Sequence, residues 1–420
     1  MSSARAAQPP GHVDLDHRVD EALRVVLRPG QQIVIGQGVG APTHLVAALG
    51  RHTDLLAGST LLVGLLPVEL PELPDTTVET FYPAGRLAAQ VAAGGRVRYV
   101  RRSLFELSED LRTGARPVDV VLAQAGRPRA GRRSLGSTVD LVAPALDGCA
   151  GAVLETGDHV SWSGPRSTVA DRPQFHPVEV PAPDPGPVPV RPEPPDALVR
   201  LAATVLPWIP DGATLELGIG RWAAGLTAAL TARRGLRIHT GALDEWVDEL
   251  VRARALAPGP VVATDAGGAP DLLTRLARGP GVDLAPAHRT HALPTLRALP
   301  RFRAVNSVFE VDLAGRANAE HAPDGRRRGI AGLRDFARGA AANPDGLAVL
   351  ALPAGAGRSR IVSRLPDDRV SLDTGETDVV VTEYGSAYLR GASPGERRER
   401  LLAVADPRHR ADLACGPPVG

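Results

Sequence analysis

Continuous apolar runs recur along the chain: VDVVLAQ (118–124), GAVLET (151–156), AVLALP (348–353) and DVVVTEYG (378–385). Strands buried on both faces read this way in parallel sheets. Between them lie segments of helical spacing such as DLLTRLARG (271–279) and RERLLAVA (398–405). This interleaving predicts an α/β architecture with mainly parallel sheets. A longer pattern also repeats. LRPGQQIVIGQGVGAPTHLVAAL (27–49) and IPDGATLELGIGRWAAGLTAAL (209–230) both run Pro, Gly, apolar strand, G-x-G turn, then a helix ending Ala-Ala-Leu, at an offset of about 182 residues. So long a period implies two related domains rather than a solenoid. The stretch PAPDPGPVPVRPEPPD (181–196) is half proline, which suits neither helix nor sheet interior, and predicts a linker. The expected organisation is a first domain over 1–180, the linker 181–196, and a second domain over 197–420.

Composition narrows the function. A length of 420 residues suits two or three domains, at about 150 residues each. Aromatic content is only 3%, so the cores must rest on Leu, Val and Ala. The net charge of +1 gives no bulk attraction to nucleic acid or an anionic membrane. All 48 basic residues are arginine. Without lysine, Schiff-base catalysis and the Walker P-loop are excluded. Two cysteines build no disulfide framework, and there is neither a signal-like apolar segment at the N-terminus nor a run of roughly 18 apolar residues. The expectation is a soluble, cytoplasmic protein.

The stretch LRIHTGALDEWVDELV (236–251) reads as a short strand, a turn at Thr240-Gly241, and a helix carrying Asp244, Glu245, Asp248 and Glu249. Strand ends of this kind are favoured positions for catalytic groups. The loop Gly218-Ile219-Gly220-Arg221-Trp222 follows a strand and opens a helix, where free backbone N–H groups suit a phosphate or an oxyanion. It lacks the spacing of a dinucleotide fingerprint, and a plain tight turn explains it as well. Arg326, Arg327 and Arg328 suit nucleotide phosphates or simply a solvated surface, while Gly329 and Gly332 suggest close approach of backbone to a ligand. His288 and His291 in HRTH would share a helical face, but no carboxylate–histidine set of metalloprotease spacing surrounds them, so no metal site is expected. Glu310, Asp312 and Glu383 sit in apolar strands, as paired structural acids or as catalytic ones.

Taken together, FRAVNSVFEVDLAGRANAE (302–320), GIAGLRDFARGA (329–340), SRIVSRL (359–365), DVVVTEYGSAYLRG (378–391) and ADPRHRADL (405–413) resemble the acetyl-CoA hydrolase/transferase family, which includes 4-hydroxybutyrate and succinate CoA-transferases. LELGIG, LRIHT, RSLGSTVDLV (133–142) and ETGDHVSWSG (155–164) extend the resemblance over nearly the whole chain. It implies two tandem CoA-transferase-type α/β domains with the active site between them. It also implies a small-molecule acyl substrate, coenzyme A or acyl-CoA as substrate rather than a tightly bound cofactor, and a homo-oligomer, dimer or higher. The binding residues it suggests are Gly218, Ile219, Gly220, Arg221, Trp222, Asn306, Gly329, Ile330, Ala331, Gly332 and Glu383.

In the family, a glutamate following I-H-[ST] attacks an acyl-CoA thioester and later carries CoA as a glutamyl thioester. Here that position is Gly241. The family's G-x-G-G-Q loop reads Gly329-Ile330-Ala331-Gly332-Leu333, and its lysine-bearing G-G-K-S-like segment reads Asp345-Gly346-Leu347-Ala348. Three expectations follow. The first is an enzyme acting on an acyl-CoA by acyl transfer or hydrolysis without a glutamyl-CoA intermediate, with His239, Asp244 or Glu245 as general base. Glu245, one helical turn beyond Gly241, would lean back toward it. The second is a catalytically silent CoA-binding scaffold or a partner of an active homologue. The third is ordinary CoA transfer with a substitute acid.

Overall fold

The computed structural model describes residues 10–182, 195–218, 221–269, 271–355 and 357–415. Most of the proline-rich stretch, together with Ile219 and Gly220, lies outside the described residues, as do the side chains of Arg221 and Trp222. Two main sheets stand on either side of the 183–194 gap. The first has seven strands in the spatial order Val97–Tyr99, Thr77–Thr80, Thr60–Val63, Gln32–Ile35, Val120–Gln124, Gly151–Thr156 and Phe175–Glu179, with every neighbouring pair parallel. The second has six: Arg237–Ile238, Thr214–Leu217, Phe302–Ser307, Leu347–Ala351, Val379–Thr382 and Gly385–Tyr388. It is parallel except at its edge, where DVVVTEYG breaks after Thr382 and turns back as an antiparallel hairpin.

The apolar runs mark the central strands because both faces are covered. Gly151–Thr156 is buried at all six positions and Val379–Thr382 at all four. Each buried Val or Leu contributes roughly 1.5–3 kcal/mol, enough for these strands to set the frame that loops decorate. The repeat has a structural counterpart. Gln32–Ile35 and Thr214–Leu217 each lie inside their sheet, flanked by parallel strands on both sides, and their first residues are 214 − 32 = 182 apart. One apolar cluster runs from Val34, Leu62 and Leu107 of the first half to Leu217, Val305 and Val379 of the second. Among the described residues, no helix is long and apolar enough to cross a membrane.

The stretch around Gly241 departs from the expected strand–turn–helix. Arg237–Ile238 is followed by a second short strand, Ala242–Leu243, paired in parallel with Asp265–Ala266, and the helix starts only at Trp246. The backbone stays extended because 236–243 runs alongside 256–266, with Thr240 N–H donating to the Val262 carbonyl at 3.0 Å. Asp244 and Glu245 therefore precede the helix instead of lying on it.

Candidate active site

A cavity of about 670 Å³ lies where the two halves meet. Its wall takes Gln37, Phe81, Tyr82 and Thr138 from the first half and Glu216, Gly241, Asp265, Asn306 and the 328–333 loop from the second. Its size suits a small-molecule ligand.

Gly241 lines this cavity. Its carbonyl accepts from the N–H groups of Thr264 (2.9 Å) and Asp265 (3.1 Å), which anchors the strand. Its φ is not among the left-handed values that would demand glycine. A Cβ built there would lie 3.5 Å from Phe336 Cε2 and 3.8 Å from His291 Nε2, ordinary van der Waals distances. Neither backbone nor packing requires a glycine here.

Two sets of acids stand at this space, with Glu216 and Asp265 on its wall and Asp140 buried behind Asp265. Glu216, on the strand Thr214–Leu217, accepts a bond of 2.7 Å from Asn306 Nδ2, and burial pushes its carboxyl up to about 8. It is a neutral acid at pH 7. Asp140 and Asp265 meet across the junction. Gln37 Nε2 donates to both, at 2.5 Å to Asp140 Oδ2 and 3.3 Å to Asp265 Oδ2, while its Oε1 accepts from Leu65 N–H at 3.0 Å. The second oxygen of Asp140, Oδ1, is buried with no hydrogen-bond partner among the described residues. Burial raises both above the usual carboxylate range, and the charge of Asp140 raises Asp265 further. Two acids this close, one of them fully enclosed, cannot both ionise readily, so the pair retains a proton.

The second-half loop is built on close approach to protein. A Cβ at Gly329 would overlap the Phe81 carbonyl and stand 2.8 Å from Tyr82 Cα, and one at Gly332 would overlap His291 Nε2. The lack of a side chain at these glycines lets the loop approach neighbouring protein atoms closely, and both also line the cavity. Between them Ala331 sits at φ 45°, a region a methyl-bearing residue rarely occupies. Its carbonyl accepts from Leu104 N–H at 3.1 Å, tying the loop to the first half.

The other sequence candidates divide. Gly218, Asp244, Asn306, Gly329, Ile330, Ala331 and Gly332 line the cavity with Gly241. His239 does not: it is buried, its Nε2 meets the Thr290 carbonyl at 2.7 Å, and burial lowers its basicity. Glu245 does not either. Its carboxylate accepts from Ala269 N–H (2.6 Å) and pairs with Arg275 (2.8 Å), so it leans away from Gly241 instead of back toward it. Glu383 Oε2 accepts from Ala354 N–H at 2.8 Å, outside the cavity. Of the arginine run, Arg327 lies over the Tyr99 ring and meets His321, whereas Arg328 reaches the cavity wall. Glu310 and Asp312 resolve as paired acids, with Arg358 at 3.0 Å and Arg316 at 2.8 Å.

The HRTH histidines diverge. Their helix is only Ala287–Thr290, so His288 Nδ1 meets Ser108 Oγ (3.0 Å) while His291 turns inward against Phe336, ring centroids 4.2 Å apart. His291 is pushed down to about 3 by burial and stays neutral, and among the described residues its Nε2 has no hydrogen-bond partner. Sequence reasoning missed Asp140, Asp265, Glu216 and His291 as neighbours of Gly241. An aspartate in a run such as TDAGG (264–268) carries no signal of its own, and only the topology brings Asp140 to Asp265.

Residues 268–415 match the acetyl-CoA hydrolase/transferase C-terminal domain. The chain is 27% identical over 402 residues to a 4-hydroxybutyrate coenzyme A transferase of Clostridium kluyveri, covering 91% of this chain and 92% of the relative. It is 28% identical over 408 residues to a succinyl-CoA:acetate/propanoyl-CoA:succinate CoA transferase of Fasciola hepatica, covering 92% and 84%. Among solved structures, RipA from Yersinia pestis superposes with a TM-score of 0.82 at 22% identity, covering 96% of this chain and 98% of that one; this likeness is one of fold. A 4-hydroxybutyrate CoA-transferase from Porphyromonas gingivalis gives a TM-score of 0.75 at 26% identity, covering 94% and 95%.

Proposed function

We propose, on the premise that residues 268–415 belong to the acetyl-CoA hydrolase/transferase family, that the chain binds an acyl-CoA thioester in the cavity between its halves and passes the acyl group to water or another acceptor without a glutamyl-CoA intermediate. The observation that carries this reading is the position of Gly241: it lines the cavity, no side chain projects from it, and nothing in its backbone or packing requires a glycine. A covalent relay through a carboxylate needs that carboxylate within reach of the thioester carbon, and a displacement of about 1 Å can already cost 100-fold in rate. Arg328 at the wall suits a phosphate group of the CoA moiety. The relatives named CoA transferases support an acyl-CoA substrate.

The test is incubation of the purified chain with a panel of acyl-CoAs, with thiol release and acyl products measured. In parallel, hydroxylamine or borohydride trapping and mass spectrometry look for an enzyme-bound thioester. Thiol release without a trapped glutamyl or aspartyl species supports the proposal. Silence across the panel, or a trapped thioester, defeats it. One observation favours a second reading as a silent CoA-binding protein: His239 and Glu245 are both held in internal contacts. That reading expects thermal stabilisation by CoA without turnover.

A further inference from the structure

Three features converge beside Gly241. The first is the Asp140–Asp265 pair, with Asp265 on the cavity wall and Asp140 fully enclosed behind it. Asp265 follows directly on the residue that anchors the Gly241 carbonyl, and its own N–H shares that anchor. The second is Gln37, whose amide is held by Leu65 N–H so that its N–H₂ faces both acids. The third is independent of the acids. His291 is 2% exposed, its Nε2 has no hydrogen-bond partner among the described residues, and that nitrogen lies 3.8 Å from the point a Gly241 Cβ would occupy. A buried ring nitrogen without a hydrogen-bond partner is costly to maintain, and here it is aimed at the position from which the family's nucleophile would project.

We propose that Asp265 is the general acid–base of acyl-thioester hydrolysis in this cavity, with Asp140 and Gln37 as its positioning residues. This rests on the acyl-CoA reading given above. A pair of carboxyls holding one proton between them offers both functions at once, an ionised oxygen to accept a proton and a protonated one to donate it. In the first step the pair removes a proton from water as its oxygen bonds to the thioester carbonyl carbon, giving a tetrahedral oxyanion. In the second the carbonyl re-forms, the C–S bond breaks, and the pair returns a proton to the departing CoA sulfur. The products are a carboxylic acid and CoA thiol; one water is consumed and no oxidant or reductant is involved. Asp140 makes no contact with the reacting atoms. It sets the proton affinity of Asp265, and Gln37 fixes the orientation of both.

The experiment compares wild type with Asp265→Asn and Asp140→Asn on the acyl-CoA that wild type hydrolyses fastest, reading kcat and KM separately. Asp265→Asn is expected to lower kcat by about 100-fold or more with KM little changed, the usual size of a lost general acid–base. Asp140→Asn is expected to lower kcat in the same sense, again without raising KM, which loss of packing alone would not produce. If Asp265→Asn does not fold, Asp265→Glu keeps the acid, displaces it by a methylene, and should lower kcat with KM retained. The part of the protonated-carboxyl infrared band that is lost in Asp265→Asn but kept in Glu216→Gln reads the proton of the pair, and a band unchanged by Asp265→Asn counts against the assignment. Retention of wild-type kcat by either Asp265 variant overturns the assignment while leaving the acyl-CoA reading intact. Wild type that hydrolyses no acyl-CoA overturns both.

Discussion

His291 Nε2 faces Gly241, 3.8 Å from where a Cβ would stand at that position. Phe336 Cε2 closes the other side at 3.5 Å. Gly241 lines the cavity, and a Cβ there meets its neighbours only at ordinary van der Waals distances, so an acid at this position is structurally permitted. Gly241→Glu should fold and lose no more than about 1 kcal/mol, at the mild end for single substitutions. If the remainder of the site is intact, the variant gains CoA exchange between an acyl-CoA and a free carboxylate, and trapping yields a modified peptide containing residue 241. A well-folded variant with no exchange would count against reading position 241 as the place of the family's nucleophile.

Glu216 should make stability depend on pH in an unusual direction. Its carboxyl is raised to about 8 by burial, against an ordinary value of 4.5. A raised folded value means that the folded state holds the proton more tightly than the unfolded state. The contribution is therefore fully present below about 4.5 and is lost as the pH rises, completely once it passes about 8. Glu216→Gln keeps a bond to Asn306 and removes the titration. Thermal melts at pH 5 and pH 9 should show the variant gaining on wild type at the higher pH. Parallel curves would show that Glu216 is ionised in the folded protein.

The 331–332 pair should respond to substitution with opposite signs. Ala331 occupies left-handed space at φ 45°, which costs an L-residue roughly 1–2 kcal/mol. Ala331→Gly removes that strain but adds chain entropy, leaving a net stabilisation of about 0.5–1 kcal/mol. Gly332→Ala drives a methyl onto His291 Nε2 and should cost about 1–3 kcal/mol by overpacking. Urea unfolding of both variants checks the signs, and the same sign for both would be inconsistent with this loop geometry.

The halves are also tied by a buried carboxylate. Burial alone would raise Glu320, but bonds from Arg101 (2.9 Å), Tyr99 Oη (2.8 Å) and Ser371 Oγ (2.8 Å) outweigh it and hold it below the usual range. Arg101→Ala leaves that acid short of its cation and should destabilise by about 1–3 kcal/mol at pH 7, since Arg101 is itself partly in water. Because the folded value is depressed, this stabilisation is present above about 4.5 and fades as the pH falls. The gap between wild type and Arg101→Ala in chemical denaturation should therefore narrow on acidification.

Much of the architecture was legible because it is written locally. Strands such as GAVLET declare themselves by unbroken apolar character, and the twin Pro-Gly-strand-G-x-G segments landed in equivalent positions of their sheets. Gly241 could be singled out by resemblance alone. Its surroundings could not, because Asp140 and Asp265 are 125 residues apart in sequence and His291 reaches Gly241 from a separate four-residue helix. The supposed turn at Gly241 also failed for a non-local reason: pairing with 256–266 keeps the backbone extended, which sends Glu245 to Arg275 instead of into the site.

The amides of Leu104 and Phe105 have a further use. Leu104 N–H is held by the Ala331 carbonyl, and Phe105 N–H by Asp335 Oδ2 at 3.0 Å, so two adjacent protons at the start of a first-half helix depend on acceptors from the second half. They can exchange with deuterium only when the cavity loop lifts away or the halves part. Their exchange rates thus act as a clock for cavity opening, and saturating CoA should slow both together while leaving amides deep in either sheet unchanged.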